Sequence, residues 1–397
     1  MKVLVINCGS SSLKYQLFEM DNEQVLAKGL VERIGIEGSC IKHTKTGMDT
    51  VKTEIPTPDH KAGIKLVIDA LLDKSHGVIS SLDELSAVGH RVVHAGEKFA
   101  TSVKLTGQVM AALKECIPLA PLHNPANIMG IDAVTDALPN IRQVGVFDTA
   151  FHQTMPKSAY IYAIPYSYYE KYGVRRYGFH GTSHYYVSQR AAEILGSPIE
   201  KLKIVTCHLG NGSSVTAVDG GKSIDTSMGF TPLPGLPMGT RCGDVDPAII
   251  PFISQTEKLP VAEVESILNK KSGMWGISGV GSDMRDIEDA AERGEPHSKL
   301  ALQILAYSLK KYIGSYAAAM GGLDAVVFTA GVGENSPLVR AMTCDGLKFM
   351  GIELDGEKNK VRSKETIIST DDSKVKVMVV PTNEELVIAR DTKRLLS

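Results

Sequence analysis

A short strand, a turn rich in glycine and serine, and a second strand follow one another at two places in this sequence, and this repeat constrains the fold more than any other feature. The six segments are 3–6, 9–12 and about 13–19 in the first copy, and 204–209, 210–214 and 215–218 in the second. β-Branched and apolar runs bounded by such turns predict buried strands. The sequence therefore indicates a weak internal duplication, although two unrelated hairpins would produce the same pattern.

Helical and strand patterns alternate along the rest of the chain. Helices are expected at His60–Leu72, around Met110 and Ile131, and at about Asn383–Leu396, and strands at Ala87–Val93, Gln143–Phe147, Ala325–Thr329 and Val375–Val380. Such alternation is typical of α/β domains. At roughly 100 to 200 residues per domain, the length of 397 residues predicts two or three domains.

The charge balance and the cysteines limit the classes of function. A formal net charge of −2 provides no broad basic field, so neither a nucleic acid nor a membrane surface is an expected partner. The six cysteines are scattered singly, which favours reduced thiols over a disulfide framework. The apolar run at 3–6 is too short for a signal peptide, and no run approaches the roughly 20 apolar residues of a membrane span. We expect a cytoplasmic protein.

Three glycine-rich segments at strand ends are candidate phosphate-binding loops: Gly9–Ser12, Gly210–Ser214 and Gly331–Asn335. Backbone N–H groups of such turns can approach phosphate oxygens, and ligands of α/β sheets bind beyond the carboxyl ends of strands. The Walker A pattern fails because Thr216 stands where its first glycine is needed, and the GxGxxG pattern fails after Gly333. Neither a P-loop fold nor a dinucleotide-binding dehydrogenase is predicted.

His180 and His184 have the spacing of two zinc ligands on a helix, but the residues between them argue against zinc. Gly181 replaces the glutamate of the HExxH motif, and glycine and threonine weaken the helix that this geometry needs. We therefore interpret His184 as a structural residue. The glycine beside His180 suits a side chain that approaches a small, highly charged group.

Two arginines and two carboxylates complete the candidates for anion and metal chemistry. Arg91 and Arg241 lie in turn-rich surroundings, and a planar guanidinium pairs bidentately with carboxylate or phosphate. Asp148, after an apolar strand, and Glu384, at the start of the last helix, could coordinate Mg²⁺ directly or through water. Other roles stay open: surface ion pairs for the arginines, a polar strand end for Asp148, and a helix N-terminal charge for Glu384.

Two longer segments resemble the signatures of a known enzyme family. Residues 3–14, VLVINCGSSSLK, are similar to the first signature of the acetate kinase (acetokinase) family, and residues 204–221, IVTCHLGNGSSVTAVDGG, are similar to the second. Further similar segments run from His90 to Pro125, and cover Arg176–His184, Pro234–Asp246, Gly331–Asn335 and Pro381–Glu385. The resemblance extends over nearly the whole chain.

The resemblance implies an α/β fold of two lobes, the duplicated ribonuclease-H-like fold that acetate and sugar kinases share with Hsp70 and actin. In this actin-like ATPase fold a nucleotide cleft is expected between the lobes. The amino-terminal lobe would comprise residues 1–149 plus 385–397, and the carboxy-terminal nucleotide-binding lobe residues 150–384. Because members of the family are typically homodimers, a homodimer is expected.

The resemblance also implies roles for individual residues. Asp148 corresponds to the catalytic acid or base, His180 and Arg241 to the transition-state stabilisers, and Arg91 to the substrate-binding arginine. Asn7 and Glu384 resemble the positions that hold Mg²⁺, for which Mn²⁺ can substitute. A pocket for the methyl group of acetate would be formed by Val93, Leu122, Phe179 and Pro232. The nucleotide-binding residues would be Lys14, His208, Leu209, Gly210, Asn211, Gly212, Asp283, Met284, Arg285, Gly331, Val332, Gly333, Glu334 and Asn335.

These roles imply direct in-line attack of a carboxylate on the γ-phosphorus of MgATP, a reversible reaction that gives acetyl phosphate and ADP from acetate. Because the nucleophile is already an anion at neutral pH, neutralising charge and aligning the reactants are the main catalytic tasks. On this interpretation Asp148 fits better as an orienting or metal-associated group than as a proton acceptor.

Three alternatives remain at this point. A propionate or butyrate kinase is the nearest, because one methylene is worth only about 1 to 3 kcal/mol of discrimination. A nucleotide-gated binding protein of the Hsp70 or actin type is another, but Arg91, His180 and Arg241 would be superfluous in it. An α/β protein without catalysis is the third, and two intact signatures argue against it.

Overall fold

The chain forms two compact units in a computed structural model, which describes residues 1–121 and 123–397. The first unit consists of Met1–Phe151 and Asn383–Ser397, and the second of His152–Thr382. Each unit has its own sheet and its own apolar core. Among the described residues, no helix combines the length and the apolar character that are needed to cross a membrane.

The strands belong to two sheets. Those of the first unit are β1 (Lys2–Cys8), β2 (Ser12–Glu19), β3 (Gln24–Glu32), β4 (Cys40–Lys45), β5 (Val51–Glu54), β6 (Leu85–Val92), β7 (Val103–Lys104) and β8 (Arg142–Phe147). Those of the second unit are β9 (Lys203–Leu209), β10 (Ser213–Asp219), β11 (Lys222–Thr226), β12 (Ala325–Thr329), β13 (Thr366–Ile367) and β14 (Lys376–Val379).

The helices are numbered along the chain; α1 to α3 and α14 belong to the first unit, and α4 to α13 to the second. They are α1 (His60–Leu72), α2 (Gly107–Glu115), α3 (Asn124–Ala137), α4 (Lys157–Tyr160), α5 (Ser167–Tyr172), α6 (Gly181–Leu195), α7 (Ile249–Glu257), α8 (Val261–Lys270), α9 (Gly273–Ser278), α10 (Met284–Glu292), α11 (Pro296–Met320), α12 (Ala330–Asn335), α13 (Pro337–Cys344) and α14 (Glu384–Leu396).

The two sheets share one arrangement of five strands. The first sheet has the order β5-β4-β3-β2-β1-β6-β8-β7, and the second β11-β10-β9-β12-β14-β13. In each, three consecutive antiparallel strands are extended by two parallel ones, so that β3-β2-β1-β6-β8 corresponds to β11-β10-β9-β12-β14 in order and direction. The duplication that the repeated strand, turn and strand predicted is therefore confirmed.

The last helix returns the chain to the first unit. Asn383 caps α14 by accepting a hydrogen bond from the N–H of Leu386 at 3.1 Å. The buried face of α14 packs against β6 so closely that a Cβ atom on Gly89 would lie 2.7 Å from Cγ2 of Ile388. Glycine is needed there because any side chain would separate helix and strand. As a result, Glu384 belongs to the same unit as Arg91 and Asp148.

Local structure departs from the sequence-based expectations at three places. The segment Gly331–Asn335 is not a loop but lies in helix α12, which packs against β9: a Cβ atom on Gly333 would be 3.5 Å from the carbonyl oxygen of Cys207. Ser213 and Ser214 begin strand β10 instead of completing the turn. Arg91 lies on β6 and not in a turn.

Candidate active site

The first unit places a bidentate ion pair at the carboxyl ends of two neighbouring parallel strands. Arg91, on β6, donates from Nε to Oδ1 of Asp148 at 2.9 Å and from Nη2 to Oδ2 at 2.5 Å. Asp148 directly follows β8 and is only 2% exposed. Burial lowers the pKa of Arg91, but the charges of Asp148, Glu384 and Glu385 outweigh this effect and raise it. The guanidinium is therefore permanently charged and fixed in orientation.

Glu384 provides a carboxylate whose charge is not fully balanced. Burial raises its pKa to about 7, and the negative charges of Asp148 and Glu385 add to this while Arg91 opposes it. A carboxylate in this situation is stabilised by a nearby cation. Asn7 lies on β1, which packs against the helix that Glu384 begins, and it pairs across the hairpin with Lys14 on β2.

The donor set of the first unit suits Mg²⁺ in its usual protein environment. Among the described residues, no three His, Cys, Asp or Glu side chains form a group that could hold a metal by itself. Mg²⁺ is commonly held by one or two carboxylates together with water and substrate phosphates, and it prefers oxygen donors. The carboxylate of Glu384 and the amide oxygen of Asn7 match this requirement.

In the second unit, His180 stands at the start of α6 in a strained backbone conformation. It is the N-cap residue and has φ 56° and ψ 24°, in the left-handed region. Such a conformation costs a non-glycine residue free energy and is kept where the surroundings impose it. Here Nδ1 of His180 lies 2.8 Å from Oγ of Ser214, and its ring stacks on that of His208 with centroids 4.1 Å apart.

Arg241 lies beside His180. An ideal Cβ atom on Gly212 would be 3.2 Å from Nη2 of Arg241 and 3.5 Å from Nε2 of His180. The two side chains thus border the same small space, which only a glycine at position 212 leaves open. Nη1 of Arg241 donates to the carbonyl oxygen of Pro232 at 2.8 Å, and burial lowers its pKa. No acidic side chain among the described residues forms an ion pair with this arginine.

A cavity of about 630 Å³ opens beyond the carboxyl ends of β9 and β12 in the second unit. Nine of the residues expected to bind the nucleotide line it: Leu209, Gly210, Asn211, Asp283, Met284, Arg285, Gly331, Val332 and Asn335. Asp283 caps α10 and pairs with Arg285, whose Nη2 is 2.6 Å from Oδ2. Because Arg285 is 85% exposed, this pair can rearrange around a ligand at low cost.

The remaining predicted nucleotide residues lie elsewhere. His208 and Gly212 belong to the neighbourhood of His180 and Arg241. Gly333 packs against β9, and a side-chain oxygen of Glu334 accepts a hydrogen bond from the N–H of Thr382 at 3.4 Å. Lys14 is an exposed residue of the first unit. Their assignment to the nucleotide stays a prediction.

The residues expected to hold the methyl group of acetate are distributed over both units. Val93 is buried in the first unit, where its N–H donates to Oδ1 of Asn127 at 3.0 Å. Phe179 and Pro232 belong to the second unit, and the carbonyl oxygen of Phe179 bonds to Nε2 of His152 at 2.9 Å. Leu122 lies outside the described residues.

Sequence reasoning missed several residues of the cavity wall. They include Met274, Ser282, Glu288, Leu305, Ser336 and Arg362. Ser282 directly precedes the predicted Asp283 and could have been found from it. Glu288 and Leu305 gave no signal because they follow the helical periodicity of α10 and α11, and Arg362 is an isolated basic residue in an irregular segment.

Arg340 was also missed, although it holds part of the cavity wall in place. It is completely buried, and its guanidinium donates to the carbonyl oxygens of Gly333 at 2.8 Å, Glu334 at 3.0 Å and Val361 at 2.7 Å, and to Asn359. It thereby ties the end of α12 to the segment that carries Arg362. A single arginine in the apolar pattern of α13 does not reveal this role in the sequence.

The duplicated sheets, the cavity at the strand ends, and an arginine without an acidic partner among the described residues are typical of one class, the phosphotransferases of the actin-like ATPase fold. The sequence profile of the acetokinase family matches residues 2–390. The chain belongs to the acetokinase family, and it is accordingly a phosphotransferase with a carboxyl group as acceptor.

Similar proteins support this assignment over the full length. An acetate kinase of Clostridioides difficile is 63% identical over 397 residues, which is 100% of both chains. The crystal structure of Porphyromonas gingivalis acetate kinase is 53% identical with a TM-score of 0.96 and complete coverage of both chains. A propionate kinase from Francisella tularensis is 43% identical with a TM-score of 0.93 and covers 99% of each chain.

Proposed function

We propose that this protein transfers the γ-phosphoryl group of MgATP to acetate, giving acetyl phosphate and ADP, and that it catalyses the reverse reaction as well. The observation that carries the proposal is the guanidinium of Arg241, which lies next to the imidazole of His180 above Gly212 and has no acidic partner in the described part of the chain. A half-buried cation without a carboxylate partner is costly unless a ligand supplies negative charge. A transferring phosphoryl group supplies it.

The proposed reaction is a direct in-line displacement. The carboxylate oxygen of acetate forms a bond to the γ-phosphorus as the bond to the β,γ-bridging oxygen breaks, and ADP leaves with the electron pair. Arg91 binds the acceptor carboxylate, while Arg241 and His180 stabilise the charge on the equatorial oxygens of the phosphoryl group.

Asp148 acts in this proposal by orienting Arg91. The acceptor has no proton to give up, so a general base is not required for its attack. Both carboxylate oxygens of Asp148 already accept hydrogen bonds from Arg91. This arrangement supports an orienting role and leaves the third nitrogen of the guanidinium, Nη1, for the substrate.

Glu384 and Asn7 are the residues that would hold Mg²⁺, or Mn²⁺ in its place, and Lys14 and the lining of the cavity would hold the nucleotide. The metal would supply charge neutralisation at the phosphate oxygens. Glu384 and Asn7 would supply oxygen ligands to the cation, and Lys14, which pairs with Asn7 across the hairpin, would add a positive charge on the neighbouring strand.

The acceptor is expected to be acetate in preference to longer acids, but overlap with propionate is expected. The match to a propionate kinase over almost the whole chain supports this overlap. A pocket that differs by one methylene discriminates by only about 10-fold to 200-fold.

The experiment that tests the proposal measures acyl phosphate directly. The purified protein is incubated with MgATP and acetate, propionate or butyrate, and hydroxylamine traps the product as a hydroxamate. We expect the highest yield with acetate, one ADP per hydroxamate, and little ADP without an acid. Equal ATP consumption with and without acid, and no hydroxamate, would refute the proposal.

Three further features complete the proposal. We propose a homodimer located in the cytoplasm. We also propose that the two functional lobes correspond to the two compact units, whose bounds lie within two residues of the expected 1–149 plus 385–397 and 150–384, so that Glu384 belongs to the first lobe. The family assignment supports the dimer and the lobes, and sedimentation of the purified protein tests the dimer.

A further inference from the structure

Four side chains of the second unit form an unbroken line of hydrogen-bonding groups that ends at His180. Oγ1 of Thr206 is 2.7 Å from Nδ1 of His184, and Nε2 of His184 is 2.7 Å from Oγ of Ser214. Oγ of Ser214 is in turn 2.8 Å from Nδ1 of His180. Thr206, His184 and Ser214 are completely buried. We call these four residues the hydroxyl–imidazole chain.

His184 is neutral within this chain, which restricts where the protons can be. It is buried, and burial, with contributions from His152 and His208, lowers its pKa well below the ordinary value. A neutral imidazole has one N–H donor and one acceptor nitrogen. Among the described residues, the hydroxyl of Ser214 contacts only the two imidazoles. Its single proton must therefore go to one of them while it accepts from the other, so all protons along the line point in the same direction.

The two directions differ in how they end at Thr206. If the protons pointed from His180 toward Thr206, the hydroxyl of Thr206 would accept from His184 and would need another acceptor. The nearest is the carbonyl oxygen of Thr216 at 3.5 Å, which is at the limit of a hydrogen bond. If they point from Thr206 toward His180, the hydroxyl of Thr206 instead donates to Nδ1 of His184 at 2.7 Å, while the other distances of the line are the same for both directions. The second direction is therefore favoured.

We propose that this chain fixes His180 as a neutral imidazole with its proton on Nε2, so that His180 stabilises the transferring phosphoryl group as an uncharged hydrogen-bond donor. In this direction Ser214 donates to Nδ1 of His180, which leaves the N–H on Nε2. That nitrogen borders the space above Gly212, together with Nη2 of Arg241. Thr206, His184 and Ser214 are positioning residues, because they act only through His180.

The groups around His180 also favour the neutral form. The guanidinium of Arg241 faces it across Gly212, the ring of His208 stacks on it from β9, and His184 lies one helical turn further along α6. The positive charge of the Arg241 guanidinium disfavours a second positive charge on the neighbouring imidazole. The positive charge at this position comes from Arg241, and the directed donor comes from His180. No proton needs to move during phosphoryl transfer.

This inference rests on the proposed function for its catalytic meaning, but the tautomer can be measured without activity. Long-range ¹H–¹⁵N correlation spectra of the full-length protein with labelled histidine distinguish a protonated ring nitrogen from an unprotonated one. The His180→Asn variant identifies the signals of His180. At neutral pH we expect a protonated Nε2 and an unprotonated Nδ1. A proton on Nδ1, or on both nitrogens, would overturn the proposal.

Two threonine variants separate positioning from fold stability. Thr206→Val removes the first hydroxyl of the chain, two side chains away from His180. Thr216→Val is the matched control, because Thr216 is an equally buried threonine of the same sheet whose hydroxyl pairs with Thr226 at 2.8 Å instead. Valine has nearly the same shape, so both variants are expected to fold.

For Thr206→Val we expect a mixture of His180 tautomers and a fall in kcat of roughly tenfold, as found for groups that orient a functional side chain from behind. KM for acetate and ATP should stay close to the wild-type values. Thr216→Val should change neither the tautomer nor kcat. Equal effects of the two variants, or a wild-type His180 spectrum in Thr206→Val, would reject the chain. A wild-type protein that forms no acyl phosphate, yet has the expected tautomer, would reject only the proposed function.

Discussion

Two arginines of the second unit meet the cost of desolvation in different ways. Arg340 is completely buried, and carbonyl and amide oxygens accept from all three of its nitrogens. Arg241 has one hydrogen bond to a backbone carbonyl and no acidic partner among the described residues. Burial lowers the pKa of both, that of Arg340 to about 10. The first arrangement stabilises the fold, and the second leaves a positive charge for a ligand.

Replacing Arg241 by alanine should therefore mainly affect catalysis, and replacing Arg340 should mainly affect stability. Arg241→Ala should lower kcat by roughly 10²-fold to 10³-fold, as expected when a preorganised donor to a transition state is lost, and should change the free energy of unfolding by less than about 1 kcal/mol. Arg340→Ala should lower that free energy by about 3 kcal/mol or more, because several buried carbonyls lose their partner. Steady-state kinetics and urea unfolding measure both effects. Near-normal turnover in Arg241→Ala would contradict its proposed role.

The sequence contained part of the site but not its connections. Arg91, His180 and Arg241 were predicted as site residues from residue type, neighbouring glycines and resemblance, and their roles stay predictions. The role of Ser214 between His180 and His184 was not, because hydrogen bonds between α6 and β10 depend on which strand faces which helix. Periodicity identifies buried faces but does not report which hydroxyl on a face meets which imidazole.

At the scale of the elements, the contact of α14 with β6 depends on the glycine at position 89. Gly89 lies two residues before Arg91 on β6, directly under Ile388 and Thr392 of α14. The helix carries Glu384 at its first position. The distance between this helix and this strand therefore determines how far Glu384, the metal-binding candidate, lies from Arg91, the substrate-binding candidate.

The substitution Gly89→Ala should push α14 away from the sheet. We expect the free energy of unfolding to fall by about 1 to 3 kcal/mol, the usual cost of overpacking, and kcat to fall as well. Gly314→Ala is the control: Gly314 lies within α11, nothing is within 4 Å of its Cβ position, and alanine should add about 0.5 to 1 kcal/mol there. Urea unfolding of both variants checks the difference in sign. Equal stabilisation by both would show that α14 does not pack as described.

Elements with strong periodicity were predicted well, and elements that depend on tertiary packing were not. The apolar spacing of His60–Leu72 gave the bounds of α1, and the β-branched run Ala325–Thr329 gave those of β12. The segment Gly331–Asn335 was expected to be a loop because glycine disfavours helices. It is helical, and the helix packs on β9, a tertiary contact that propensity does not express.

For the molecule as a whole, buried neutral histidines link stability to pH. Burial lowers the pKa of His90 and of His152 to about 4, and that of His184 in the same direction. In the unfolded chain these residues titrate near the ordinary value of about 6.5. Between these values the unfolded state binds more protons than the folded state, so stability falls as the pH falls from about 6.5 toward 4.

The urea midpoint should therefore decrease between pH 7.5 and pH 5. His90→Gln should show a smaller decrease than the wild type, because glutamine cannot titrate in this range and can still bond to Gln143, which now holds His90 at 2.8 Å. The exposed His297 provides the control, and His297→Gln should follow the wild-type dependence. The same slope in all three proteins would show that His90 does not contribute.

The two units differ in when their chains become available during synthesis. The second unit is a single continuous stretch, His152–Thr382, whereas the first needs Asn383–Ser397 to cover β6. During synthesis, the face of the first sheet that α14 covers stays exposed until α14 leaves the ribosome. By then the whole second unit has been synthesised and can already have folded. Asn383–Ser397 is therefore the part of the first unit that is synthesised last. The ion pair of Arg91 and Asp148 gains the neighbouring carboxylate of Glu384 only when this segment has packed on β6.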